Sequence, residues 1–171
     1  NINGPGSRVT IQNNIASTRG GGIFLRNGLV RVENKGTLYI TANVALQSHG
    51  GGLLFSDSSL MRVHGYDSTA TFAQNRAGGD RGGGFSTESG SSQISITGGA
   101  SFFVSSNTAS NHGGGGAIAA KSGIFSDSDS DVMFEGNTAR RGDGGALAVT
   151  AGSYARLEGT SQFVRNVATN G

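Results

Sequence analysis

Residues 70–85 read ATFAQNRAGGDRGGGF, and three features of this stretch decide the fold. Ala70 and Phe72 alternate with polar neighbours, as on a half-buried strand. Asn75 follows three residues after Phe72 and two before Ala77, and a glycine run at 82–84 leads into Phe85. The Asn-x-Ala element recurs at Asn14, Asn43, Asn75, Asn107, Asn137 and Asn166, with steps of 29, 32, 32, 30 and 29 residues. A unit of about thirty residues is thus written roughly five and a half times.

Each unit divides into three short strand-like pieces separated by polar turns. The first runs up to the Asn, with Val9/Ile11, Leu38/Ile40, Ala70/Phe72, Phe102/Val104, Val132/Phe134 and Ser161/Phe163 pointing one way. The second follows the glycines, with Ile23/Leu25, Leu53/Phe55, Phe85/Thr87, Ile118/Ala120 and Leu147/Val149. The third carries Val30/Val32, Met61/Val63, Ile94/Ile96 and Ala155/Leu157, with Ile124 at the matching place in the fourth unit. Helical spacing of apolar residues is absent.

Three short strands per coil, stacked in parallel, describe an all-β fold: a right-handed parallel β-helix, or β-solenoid, with its hand taken from the chirality of parallel connections. Coils about 4.8 Å apart make a rod on the order of 26 Å long. No helix pairs, leucine-rich consensus, Trp-marked propeller blades or calcium-binding nonapeptides compete with this reading. The expected structural ladder comprises the six Asn residues and the glycines Gly21, Gly51, Gly83, Gly116 and Gly145. An Asn at a corner tolerates left-handed backbone angles, and its amide bonds to the Asn above and below. The Ala two residues on fits a narrow bend, and the glycines supply positive φ and close approach between coils.

Bulk composition agrees with a thin core. Hydrophobic residues make up 35% of 171, with 31 Gly and one Pro, too few large side chains for an ordinary globular centre. Net charge is +2, too small a balance to imply nucleic acid. Without cysteine there are no disulfides or thiolate metal sites. No apolar stretch is long enough to span a membrane. The chain reads as one β-helix domain over 1–171, expected to be a segment of something longer.

Chemistry-bearing residues are few. Asp127, Asp129 and Asp131 alternate with Ser in one loop. Calcium takes such oxygen ligands, but a solvated Ser/Asp loop explains them as well, and no other cofactor is expected. No carboxylate column or Ser-His-Asp set stands out, so the chain is expected not to be an enzyme.

Just before the glycine runs, Arg19, His49, Arg81, His112 and Asp143 occupy equivalent places and should stack along one edge. Such a column suits an anionic glycan, while the plainer reading has these side chains splayed into water. Arg141-Gly142-Asp143 spells an integrin-type tripeptide in an expected exposed turn. Tyr39, Phe103 and Met133 should face outward on the first strand, as should Phe24 and Leu54 on the second. Apolar residues in such columns suggest a covering loop, a second chain or a ligand.

The paired elements [Phe/Ile/Val]-x-x-Asn and Gly-Gly-Ala-[Ile/Leu/Val] resemble the repeats of chlamydial-type polymorphic outer-membrane proteins. The first element stands at 11–14, 40–43, 72–75, 134–137 and 163–166; the fourth copy reads either Val104-Ser-Ser-Asn107 or one residue longer from Phe103. The second is complete at 115–118 and 144–147, with Gly in its third place at 20–23, 50–53 and 82–85. The resemblance implies a surface-exposed passenger region of autotransporter type acting in adhesion.

The function expected is therefore that of a non-enzymatic structural and adhesive rod, extracellular or on a cell surface. Its partners would be a host-cell or surface glycan or protein. Two alternatives stay open. The chain is a filament subunit stacking end to end on identical chains, or it is a polysaccharide lyase or hydrolase of β-helix type.

Overall fold

The computed structural model describes residues 1–169, so the last two residues of the expected 1–171 domain lie outside the described part. Twenty-three strands and no helix are found among the described residues. They form three six-stranded sheets and one five-stranded sheet. Every neighbouring pair is parallel. Thr69 pairs with Thr37 before it and Ser101 after it, one repeat away on either side. That register makes a β-solenoid of stacked coils.

The three expected strands of each coil are present, and a fourth joins them. In the coil of Asn75 the chain runs through Thr69–Ala73 (first ladder), Arg76–Ala77 (corner ladder), Phe85–Thr87 (second ladder) and Gln93–Thr97 (third ladder). The corner strands, two residues each, start directly after every Asn and hold the Ala of Asn-x-Ala. Ala45, Ala77, Ala109 and Ala139 are fully buried there, which explains the small side chain at the bend. Two residues are too few to show an alternation, so this ladder is silent in the apolar pattern.

The core lies inside the four ladders. Leu38, Ile40, Phe72, Phe102, Val104 and Phe134 from the first ladder meet Leu53, Phe55 and Phe85 from the second and Met61, Val63, Ile94 and Ile96 from the third. Four phenylalanines pack edge-on or tilted up the middle, with ring centroids 5.4 Å apart for Phe72–Phe102, 5.8 Å for Phe72–Phe85 and Phe85–Phe102, and 6.3 Å for Phe85–Phe134. Each fully buried Phe or Leu contributes on the order of 1.5–3 kcal/mol. The fully buried side chains are concentrated in the middle coils.

The Asn column forms a continuous ladder. Asn107 Oδ1 accepts from both the backbone N–H and the Nδ2 of Asn75, and the same pair of bonds joins Asn14 to Asn43, Asn43 to Asn75, Asn107 to Asn137 and Asn137 to Asn166. The other Nδ2 proton reaches back one coil, from Asn75 to the Ile40 carbonyl and from Asn107 to the Phe72 carbonyl. Those carbonyls belong to the apolar residue three before the preceding Asn. In the fourth unit Val104 fills this place, pairing with Phe72 and Phe134, so no extra residue is inserted there.

The left-handed corner residue is not the Asn but the one before it. Asn13, Ala42, Gln74, Ser106, Gly136 and Arg165 all have φ between 52° and 60°. The Asn is kept for its amide, since a buried side chain with all donors and acceptors used is what this corner requires.

One glycine assignment is corrected. Gly21, Gly51, Gly83 and Gly145 share a column of close approach with Gly114, not with Gly116. A Cβ on Gly83 would come 2.6 Å from the Thr108 backbone of the next coil, and one on Gly114 2.5 Å from the Thr138 backbone. Gly116 pairs instead with Phe85 and Leu147. Its missing side chain makes room for the Phe85 ring, whose Cε1 would lie 2.6 Å from a Cβ. Residues 113–116 therefore align with 144–147, two residues earlier than the motif suggested. Ala120 falls beyond the end of its strand, in a turn with φ 58°.

Serines form a second polar ladder. Ser59, Ser92, Ser122 and Ser153 each stand just before a third-ladder strand or its first apolar residue. Each hydroxyl accepts from the backbone N–H one coil earlier: Gly28 to Ser59, Ser59 to Ser92, Ser92 to Ser122 and Ser122 to Ser153.

Candidate functional site

The column before the glycines is in register. The N–H of Gly20 donates to the His49 carbonyl, Gly50 to Arg81, Gly82 to His112 and Gly113 to Asp143. Arg19, His49, Arg81, His112 and Asp143 therefore run along one edge, one per coil.

It is not a bare stack of cations. Asp80 Oδ2 lies 2.9 Å from Arg81 Nε and 3.7 Å from His49 Nδ1, and its Oδ1 accepts from Asn111 Nδ2. Glu88 Oε1 is 3.5 Å from Arg19 Nη2. The Asp143 N–H donates to His112 Nδ1 at 3.1 Å. The same Nδ1 lies 3.6 Å from the Asp143 carboxylate. Interleaved acids relieve the repulsion that like charges one coil apart would suffer. Arg81 Nε and His49 Nδ1 are nonetheless buried atoms without a properly directed hydrogen bond.

This edge folds over the outer face of the second ladder. Phe24, Leu54, Ser86, Ala117 and Ala148 form one outward column by register. Leu54 takes the expected outward position but is covered by a loop and 0% exposed, whereas Phe24 is 41% exposed. The loop before the strand bends back over it at Gly50 (φ 66°), where a Cβ would sit 2.9 Å from Leu54 Cβ. Gly82 and Gly113 close in the same way on Ser86 and Ala117.

Side-chain size varies along this column. Phe24 and Leu54 are large, but Ala117 and Ala148 are small. A cleft of about 520 Å³ lies at that end, lined by Arg81, His112 and Asp143 together with Ala117, Ala148, Leu147, Val149 and Thr150. A more polar hollow of about 340 Å³ lies at the other end, among Arg19, Arg26, Asp57, Glu88 and Ser89. There the hydrogen bond from Arg26, then that from Ser89, hold the Asp57 carboxyl below its usual value.

The remaining expected residues are distributed as follows. Arg141 and Asp143 are exposed and Gly142 is buried. A Cβ on Gly142 would come 2.6 Å from His112 Nδ1, so packing beneath the imidazole accounts for that glycine. Tyr39, Phe103 and Met133 share the outward column of the first ladder with Thr10, Thr71 and Gln162. All three are half-buried. Arg8 lies over the Tyr39 ring, and Phe103 and Met133 border a shallow hollow of about 180 Å³.

Asp127 is committed to its turn, its Oδ1 accepting from Ser130 and its Oδ2 from the Gly98 N–H. Burial raises its pKa, but these bonds outweigh that and the net shift is downward. Asp129 is exposed in the turn and Asp131 opens the next strand. Among the described residues no three His, Cys, Asp or Glu side chains converge to hold a metal ion. No helix there is long and apolar enough to cross a membrane.

No curated protein and no solved structure matches the chain. Residues 8–26, which run from the first-ladder strand Arg8–Gln12 through the glycines 20–22 to the end of Ile23–Arg26, match the family model described as the Chlamydia polymorphic membrane protein repeat, and it is to this repeat family that the chain is similar.

Proposed function

We propose that the chain is a rigid, non-enzymatic rod that presents loops and strand faces at a cell surface for contact with a protein or glycan. The observation that carries this reading is the buried Asn ladder, which fixes the pitch at which every coil displays the same positions. The matched repeat family supports an outer-membrane setting. Rigid ladders suit presentation, because a ligand then meets side chains that are already ordered and less entropy is lost on binding. Beads coated with the folded chain should be retained on cultured cells or on immobilised glycans, and beads coated with heat-unfolded chain should not. Equal retention of the two would sink the adhesive role.

A second reading is end-to-end stacking of identical chains, in which strands of the parallel ladders of one chain would pair with those of the next. Edge strands template further pairing. Negative-stain microscopy over a concentration series should show fibres of uniform width if stacking is the function, and short single rods if it is not.

A further inference from the structure

We propose that the outer face of the first ladder binds a neutral polysaccharide chain lying along the rod. This rests on the reading of the rod as a presenting surface and names what that surface takes.

The face is internal to the stack. Tyr39, Thr71 and Phe103 form its middle row, with further first-ladder strands on both sides at Arg8–Gln12 and Asp131–Glu135. Thr37, Thr69 and Ser101 flank this row on one side by register. Thr41, Ala73 and Ser105 flank it on the other. Each of these residues is half-buried and keeps part of its surface in solvent. None of them carries a charge. The outward row of the third ladder, by contrast, holds Arg31 and Arg62, and Gly50, Gly82 and Gly113 close over the second ladder.

The hydroxyls of this face are free. Among the described residues, those of Thr37, Thr41, Thr69, Thr71, Ser101 and Ser105 make no side-chain hydrogen bond within the chain. Hydroxyls elsewhere do: Ser59 bonds to Leu25, Thr97 to His64 and Thr87 to Ala119.

A sugar ring carries C–H groups on its faces and hydroxyls round its edge. The flanking rows stand about 7 Å to either side of the middle row, two residues along each strand. A ring lying on Phe103 therefore directs its hydroxyls at Ser101 and Ser105, each of which both donates and accepts. The Phe103 ring takes the C–H surface out of water. Two coils away Arg8 lies over the Tyr39 ring, 5.1 Å from its centroid, and adds guanidinium donors for the next sugars of the same chain.

Shape and charge decide against other occupants. The strip is as wide as one five-residue strand, about 16 Å, which suits a single linear chain. Over the described coils it offers roughly 400 Å², about half of what each partner brings to a standard protein interface, so a second copy is disfavoured. With no cation in its middle coils, the face gives an acidic glycan no advantage over a neutral one.

Depletion of the intact chain from solution by insoluble cellulose, chitin, mannan and heparin-coated beads tests this at low and at high salt. At least one neutral polysaccharide should retain the chain, equally at both salt levels. Thr71→Lys, which puts a charge at the centre of the face, should abolish that retention. Phe103→Ala should weaken it about tenfold, as loss of an aromatic anchor does. Should either variant fail to fold, Ser101→Lys on the same face takes its place. Retention on heparin alone, retention on none of the four, or retention unchanged in the variants overturns the proposal. So does a dimer in light scattering that Thr71→Lys dissolves, since the face would then belong to a second copy. The bead assay separates the proposal from the presenting role: if wild-type beads are retained on cultured cells and no neutral polysaccharide depletes the chain, only the face assignment fails.

Discussion

Asn75 and Asn107 are joined through a single oxygen: Asn107 Oδ1 accepts from the Asn75 backbone N–H at 2.9 Å and from its Nδ2 at 3.0 Å. Asn75 Oδ1 does the same for Asn43, and the second Asn75 Nδ2 proton goes to the Ile40 carbonyl at 2.8 Å. All of this takes place with Asn75 only 1% exposed. Each internal Asn is thus both rung and clamp.

Replacing Asn75 with Ala leaves the Asn43 N–H and amide, the Ile40 carbonyl and Asn107 Oδ1 each short of a partner. A buried group left unpaired costs about 1–3 kcal/mol, so the urea midpoint of Asn75→Ala should fall clearly below wild type. Asn75→Asp keeps the acceptor but buries a charge and loses both donors, and should be worse. If Asn75→Ala melts like wild type, the ladder does not stabilise the stack.

The Asn column was legible in the sequence because hydrogen bonding demanded one residue type at one spacing. So were the first-ladder and third-ladder cores, where alternation over five residues leaves a clear record, as at Leu38/Ile40 and Ile94/Ile96. The corner ladder left none, being two residues long. The serine ladder was visible as Ser59, Ser92, Ser122 and Ser153 ahead of the third strands, but serine is common in turns and reads as punctuation. The full burial of Leu54 was not legible, because alternation tells which face a side chain takes, not which of a loop, a second chain or a ligand covers that face. The column of Arg19, His49, Arg81, His112 and Asp143 was found from spacing alone, yet Asp80, two residues before Gly82, and Glu88 across the loop, which neutralise it, carry no repeat signal.

The two glycine environments should differ in tolerance. Gly83→Ala drives a Cβ into the backbone of the next coil, which cannot move without breaking the stack, and overpacking of this kind costs about 1–3 kcal/mol or more. Gly116→Ala meets the far end of the buried Phe85 side chain, which can turn about its own side-chain torsions where backbone cannot. Thermal melts should rank Gly83→Ala well below Gly116→Ala, and the reverse order would contradict the corrected glycine register.

Leu54 should behave as a core residue despite its outward strand position. Leu54→Ala opens a void beneath the Gly50 loop and should cost about 2–5 kcal/mol, as buried Leu truncations do. Phe24→Ala, in the same column but partly exposed, should cost distinctly less. Matching denaturant midpoints for the two would mean that the loop does not seal the second ladder.

Asp127 should tie stability to acid. Its folded pKa lies below the ordinary aspartate value because Ser130, the Gly98 N–H and the Asp129 backbone stabilise the carboxylate against the opposing effect of burial. In the unfolded chain that preference is gone. The folded state therefore binds the proton less readily than the unfolded one, and the stabilisation is present in full above the unfolded pKa and lost as pH falls through the folded value. Asp127→Asn removes the titrating group. At neutral pH wild type should be the more stable of the two by urea titration, and the gap should close as pH drops through the acidic carboxylate range. A gap that stays constant down to the lowest pH would show that Asp127 acts through packing of its turn and not through its charge.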